Sequence, residues 1–135
     1  MTTDWERYTG DYLAHVEEAH EAEKSIALQR RDLDLYERQM VEIEDNLERA
    51  TKEVDSGEPT PRIVSVIEGS NDAKRAAHKR LLCAADETWI DDDREARRLR
   101  QSIALRTADL HRAERLYRLA KLQLEALSGY KGGDS

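Results

Sequence analysis

The chain has 135 residues, with 29 acidic against 22 basic side chains, a net charge of -7, and 38% charged residues. That length fits one domain, and the charge content lies well above the roughly 25% of an ordinary globular chain. A lone Cys83 excludes an internal disulfide and a Cys-ligated zinc site, and the longest apolar run, Leu81 to Ala85, is far short of the ~20 residues a membrane span needs. The start, Met1-Thr2-Thr3-Asp4, lacks the basic and apolar regions of a signal peptide, so a cytoplasmic location is expected.

In chain order, the first element is a long helical arm over 4–55. Steps of seven from Trp5 give Tyr12, Ala19, Ile26, Leu33, Met40, Leu47 and Val54, all apolar. Three residues after each lies a weaker set: Tyr8, His15, Ala22, Gln29, Tyr36, Ile43 and Ala50. These are the a and d positions of heptads, whose strict seven-residue period implies a left-handed coiled coil. Thr3 and Glu6 have capping-box spacing, while Gly10 is costly enough inside a helix that the regular part is expected to begin near Asp11.

A kink is expected over 56–61, where Ser56-Gly57-Glu58-Pro59-Thr60-Pro61 must interrupt the helix. A short helix over 61–68 is expected next, carrying Ile63, Val64, Val66 and Ile67. Gly69-Ser70-Asn71 then reads as a turn over 69–71, with Ser70 or Asn71 capping the next helix. Either breaker, 56–61 or 69–71, can serve as the hairpin tip; the second leaves no overhang and pairs Ile26 with Ala113, Tyr36 with Ile103 and Tyr12 with Leu127.

Arm two spans 71–128. Steps of seven from Leu82 give Trp89, Ala96, Ile103, Leu110, Tyr117 and Leu124, and three residues later come Ala85, Asp92, Leu99, Arg106, Ala113, Ala120 and Leu127. Ser128-Gly129 reads as a helix stop, leaving a flexible tail over 129–135. Ser25-Ile26-Ala27-Leu28 recurs as Ser102-Ile103-Ala104-Leu105, and Asp-Leu and Glu-Arg come after it at equal spacing in both arms, which points to duplication of one helix. The fold class is therefore all-α: a long antiparallel helical hairpin (coiled coil) in one domain, 1–135, expected to dimerise into a four-helix bundle.

Apolar residues also fall off the seam, at Leu13, Val16, Leu28, Leu35, Val41, Leu105, Leu116, Leu119 and Leu122. A two-helix hairpin buries only a stripe, so these mark an interface. The first arm is acidic and the second basic: residues 1–60 carry 17 acidic against 7 basic side chains, and residues 61–135 carry 12 against 15. Unlike arms should therefore pair.

The expected function is non-enzymatic: a scaffold, adaptor or assembly factor working through protein–protein contacts, as a homodimer with a further protein partner of unidentified kind. Its contact residues are expected to be Ile63, Val64, Ile67, Leu28, Leu35, Leu105 and Leu119. One alternative is an inhibitor of a nucleic-acid-binding enzyme, of the phage counter-defence type, in which the run from Glu17 to Glu48 imitates a nucleic-acid backbone. Another is a nucleic-acid-binding accessory protein using Arg94, Arg97, Arg98, Arg112, Arg115 and Arg118, less favoured because the whole chain is acidic.

Neither cofactor nor metal is expected. Glu17 and His20 have the Glu-x-x-His spacing of di-iron bundles, but the motif occurs once and at outward positions. Asp91-Asp92-Asp93 lacks the Gly turn and distal Glu of a calcium loop. His15, Gln29, Asp92 and Arg106 read as polar seam residues that fix register, not as a catalytic set. Cys83, His78 and His111 have no catalytic companion at a telling spacing, and Trp5, Trp89, Tyr12, Tyr36 and Tyr117 coincide with the seam as core.

Overall fold

The computed structural model describes residues 3–55 and 57–133, with side chains of 130–133 left aside; Ser56 of the expected kink and the end of the expected tail lie outside the described residues. Of the described residues 82% are helical, in an all-α fold whose described part has three helices, the two long ones packing against each other. Their order is α1 (Asp4–Arg49), β1 (Thr51–Val54), β2 (Arg62–Ser65), α2 (Asp72–Ala85) and α3 (Glu87–Gly133). Two units are distinguished: the first joins residues up to 31 with those from 100 on, and the second runs over Asp32–Leu99.

In the first unit α1 and α3 run antiparallel. The Tyr12 ring stands edge-on to Tyr117 at 6.1 Å, and Gln29 Nε2 donates to Ser102 Oγ at 2.6 Å. The buried residues are Ala19, Ala22, Ile26, Ala113 and Ala120, all at predicted a or d positions. Four of the five are alanines, each hiding one methyl where a leucine would contribute roughly 1.5–3 kcal/mol. The seam is closed but thin.

The α1 start obeys its cap: Glu6 N–H donates to Thr3 Oγ1 at 3.2 Å, and the helix begins at Asp4, not near Asp11. Gly10 sits inside it with nothing within 4 Å of where a Cβ would stand, so the cost of glycine there is entropic and the surrounding turns carry it. At the other end α3 continues through Gly129 to Gly133, past the expected stop at Ser128-Gly129. Trp5 is 46% exposed and no part of the core.

The second unit departs further from expectation. The segment read as a short helix over 61–68 is the strand β2, paired antiparallel with β1 in the register Thr51↔Ser65, Lys52↔Val64, Glu53↔Ile63 and Val54↔Arg62. Arm one thus ends at Arg49, and Val54 is a strand residue, 40% exposed. The reason is visible in the residues: Ile63, Val64, Val66 and Ile67 are β-branched, which favours a pleated strand over a helix. The turn closes where Gly57 takes φ +76° and its N–H donates to Asp55 Oδ1 at 3.0 Å.

Neither breaker is the tip of a simple hairpin, because a β-ribbon and a third helix stand between the long arms. Asn71 is the cap of α2, with Oδ1 accepting from Lys74 N–H at 2.9 Å; such a cap contributes about 1 kcal/mol. Arm two is broken at Asp86, which is extended (φ -89°, ψ 117°), donates its N–H to the Cys83 carbonyl and caps α3 by accepting from Trp89 N–H at 2.9 Å. The pairing also differs from expectation: Tyr12 faces Tyr117 and not Leu127, and Gln29 bonds Ser102, so the register behind the expected pairs Ile26–Ala113 and Tyr36–Ile103 is replaced.

Ile67, Cys83, Ala96 and Leu99 form the second unit's core, together with Asp92. Polar bonds cross between its elements. Val66 N–H donates to the Ala50 carbonyl at 3.0 Å, Glu68 N–H to His78 Nδ1 at 2.8 Å and Lys79 Nζ to Glu48 at 2.6 Å, while Lys52 pairs with Glu68. Both pairs hold the carboxyl of their Glu below its ordinary pKa through the lysine's hydrogen bond and charge.

Candidate interaction surfaces

Heptad geometry places g beside d and c beyond g, and in an antiparallel pair the two g rows border the same side. In the first unit that side holds an open groove of about 960 Å³. Its floor is Ala14, Ala22, Ala113 and Leu116, all small except Leu116, so the helices leave a trough between them. Glu17, Glu18 and Glu21 line the α1 wall, and Arg106 and Arg112 the α3 wall. Arg106, read as a seam residue, is exposed and points to this rim, its guanidinium 3.9 Å from Asp109.

The c row of α1 reads Ala14, Glu21, Leu28, and that of α3 reads Leu105, Arg112, Leu119. Leu28 is 56%, Leu105 65% and Leu119 53% exposed. The Gln29–Ser102 bond sets Leu28 and Leu105, equivalents in the internal repeat, at one level on one side. The repeat keeps its orientation in both copies: Ile26 is buried and Ile103 half-buried, while Leu28 and Leu105 are exposed. Among the described residues Glu17, Glu21 and Arg112 make no ion pair or hydrogen bond, although opposite charges face each other across the trough.

In the second unit Ile63 is exposed on β2 and Val64 half-buried, while Ile67 is only 4% exposed. Ile67 is therefore core and not a contact residue, a correction whose cause is the chain turning inward after β2. Leu35 stands exposed on α1. The structure thus divides the predicted contact residues: Leu28, Leu105 and Leu119 share one face of the first unit, and Ile63, Val64 and Leu35 belong to the second.

The second unit also has an open pocket of about 400 Å³ lined by Glu44, Ala76, Lys79, Cys83, Ala84 and Trp89. Burial pushes the Cys83 thiol up, aided by Glu44, so it is held as a neutral thiol. Asp92 is also buried and raised, first by desolvation and then by Asp91 and Asp86, with Oδ2 unpaired among the described residues. Its neighbours are spoken for: Asp91 lies 3.6 Å from Arg94 and Asp93 2.9 Å from Arg97.

Of the arginine stripe, Arg94, Arg97, Arg98 and Arg118 each pair with a carboxylate one turn away on their own helix. Arg112 and Arg115 remain open. Glu17 and His20 are exposed, and no group of three or more metal-ligating side chains occurs among the described residues. No helix of the described residues is long and apolar enough to cross a membrane. No protein-family model, curated protein or solved structure matches the chain.

The groove was the feature that sequence reading missed. Its signal was present in the small residues Ala14, Ala22 and Ala113, which keep the floor low.

Proposed function

We propose that this chain is a non-enzymatic coiled-coil interaction protein, a cytoplasmic homodimer that serves as a scaffold, adaptor or assembly factor. One observation carries the reading: large aliphatic side chains stand in water on helix and strand faces while the seam behind them is already filled. Evenly scattered leucines would need no explanation, but Leu28, Leu105 and Leu119 are grouped on one face of the first unit, and the second unit exposes Ile63 and Leu35. Two surfaces suit two contacts. The first unit's face serves self-association, and Ile63 on the exposed ribbon serves a protein partner.

Comparing proteins that co-purify from the native cell with the wild-type chain and with Ile63→Asp tests this directly. Ile63 is 67% exposed, so its substitution leaves folding intact and should remove the partner selectively. Identical sets from both chains would overturn the partner contact.

A second reading is favoured by the open carboxylates of Glu17, Glu21, Glu23, Glu42 and Asp45: a nucleic-acid mimic docking on a basic groove. Salt separates the two, because a mimic's affinity falls steeply with ionic strength and an apolar contact is nearly indifferent. Direct nucleic-acid binding has less support, since four of its six arginines are already neutralised by neighbours on their own helix.

A further inference from the structure

We propose that a second copy of the chain covers the groove face of the first unit, its α1 lying antiparallel on the other copy's α3, to close a four-helix bundle. The inference rests on the interaction-protein reading and names its self-association surface. Three observations converge on a second copy as the occupant.

The first is what is missing from the core. Within the first unit, Ala19, Ala22, Ile26, Ala113 and Ala120 are the buried residues of its two long helical segments. Helices of this length draw most of their stability from packing an apolar face, and a mostly alanine seam supplies little of it. Leu28, Leu105 and Leu119, more than half exposed, are the residues whose burial would make up the deficit.

The second is symmetry. Leu28 and Leu105 are equivalent residues of the internal repeat, and the Gln29–Ser102 bond holds them level on the same side. A twofold axis along the helices therefore brings each of these leucines against its equivalent in the other copy, so that one contact is made twice.

The third is charge. Identical faces can be joined by a twofold axis along the helices, which lays α1 on the other copy's α3, or across them, which lays like on like. Residues 11–23 carry Asp11, Glu17, Glu18, Glu21 and Glu23 with no Lys or Arg, and 106–121 carry Arg106, Arg112, Arg115, Arg118 and Lys121 against Asp109 and Glu114. Like on like would lay this acidic stretch of α1 over the other copy's acidic α1. The other arrangement brings unpaired Glu21 to unpaired Arg112, and Leu28 beside Leu105, twice each. Alanines on the groove floor admit the incoming leucines.

Sedimentation equilibrium on the full chain, with helix content tracked by circular dichroism, tests the arrangement. Wild type should be a dimer, and Leu28→Glu or Leu105→Glu should each raise its dissociation constant by more than about tenfold without loss of helix, because each buries a carboxylate in the contact. Glu21→Arg should weaken the dimer, and the double variant Glu21→Arg/Arg112→Glu should restore it. A wild-type chain that is monomeric at about 100 µM, or a dimer indifferent to all four variants, would overturn the proposal. Either result leaves the Ile63 partner contact standing, since that contact is judged by co-purification and not by mass.

Discussion

The first unit is two helices held by a narrow seam of alanines; the second packs parts of α1 and α3 with α2 and a β-ribbon around Ile67, Cys83 and Leu99. In the second, hydrogen bonds and ion pairs tie strand to helix and helix to helix, at Val66–Ala50, Glu68–His78 and Lys79–Glu48. In the first, Gln29–Ser102 and Tyr12–Tyr117 fix the register, while Glu17, Glu21 and Arg112 on facing walls stay unpaired among the described residues. The contrast is between a region that packs its apolar residues within itself and one that leaves Leu28, Leu105 and Leu119 exposed, the residues that the proposed dimer would cover.

Substitutions in the second unit should therefore behave as folding mutations. The largest effect is expected from Ile67→Asp, which places a carboxylate at a position 4% exposed. Loss of about 3–5 kcal/mol in urea unfolding, with loss of hydrogen-exchange protection over Asp32–Leu99, is the expected result. An unchanged midpoint would mean that the second unit does not complete its own core.

Gly69→Ala comes next. Gly69 has φ +152°, and a Cβ there would stand 2.6 Å from the Arg75 backbone nitrogen and 2.9 Å from the Lys74 carbonyl carbon. Backbone cannot yield as a side chain would, so a loss of roughly 2 kcal/mol is expected by the same unfolding measurement.

The smallest effect is expected to be a gain. Burial raises the Asp92 carboxyl, so the folded state holds its proton at pH values where the unfolded chain has released it. Stability from this group is full below the ordinary aspartate value, falls as pH rises through the raised one, and stays reduced above it. Asp92→Asn should thus raise the urea midpoint at neutral pH, and the gain should vanish on acidification. A gain that persists in acid would show that the carboxyl's charge is not the cause.

Much of the fold was legible in the seven-residue period. Of the arm-two seam positions within α3, all but Arg106 are buried or half-buried, and in arm one those from Tyr8 to Ala50 are as well. The β-ribbon was not, because Pro61 ahead of apolar residues satisfies a helix-start pattern while the β-branched run Ile63-Val64 and Val66-Ile67 argues for a strand. The break at Asp86 also went unread. A single non-helical residue hardly disturbs counting in sevens, so Leu82 and Trp89 stay in phase across two separate helices. The cue was Asp86 directly before Glu87, an N-cap with an acidic first turn.

Among the candidate surface residues, exposure of Leu28, Leu35, Leu105 and Leu119 came from phase alone, since c positions point away from an a/d seam. The fate of Ile67 did not, because it depends on where the chain travels after β2, which no local pattern encodes. The groove depended on the true register as well as on the small residues beneath it.

Mixing two single-cysteine chains, one carrying Leu28→Cys and the other Leu105→Cys, each with Cys83→Ala, tests the central claim most directly. A disulfide between unlike chains is then necessarily intermolecular. Oxidation of the mixture should link one chain of each kind well before either kind links to itself, because α1 of one copy lies on α3 of the other. Equal linkage of like with like, or no linkage at all, would contradict the account.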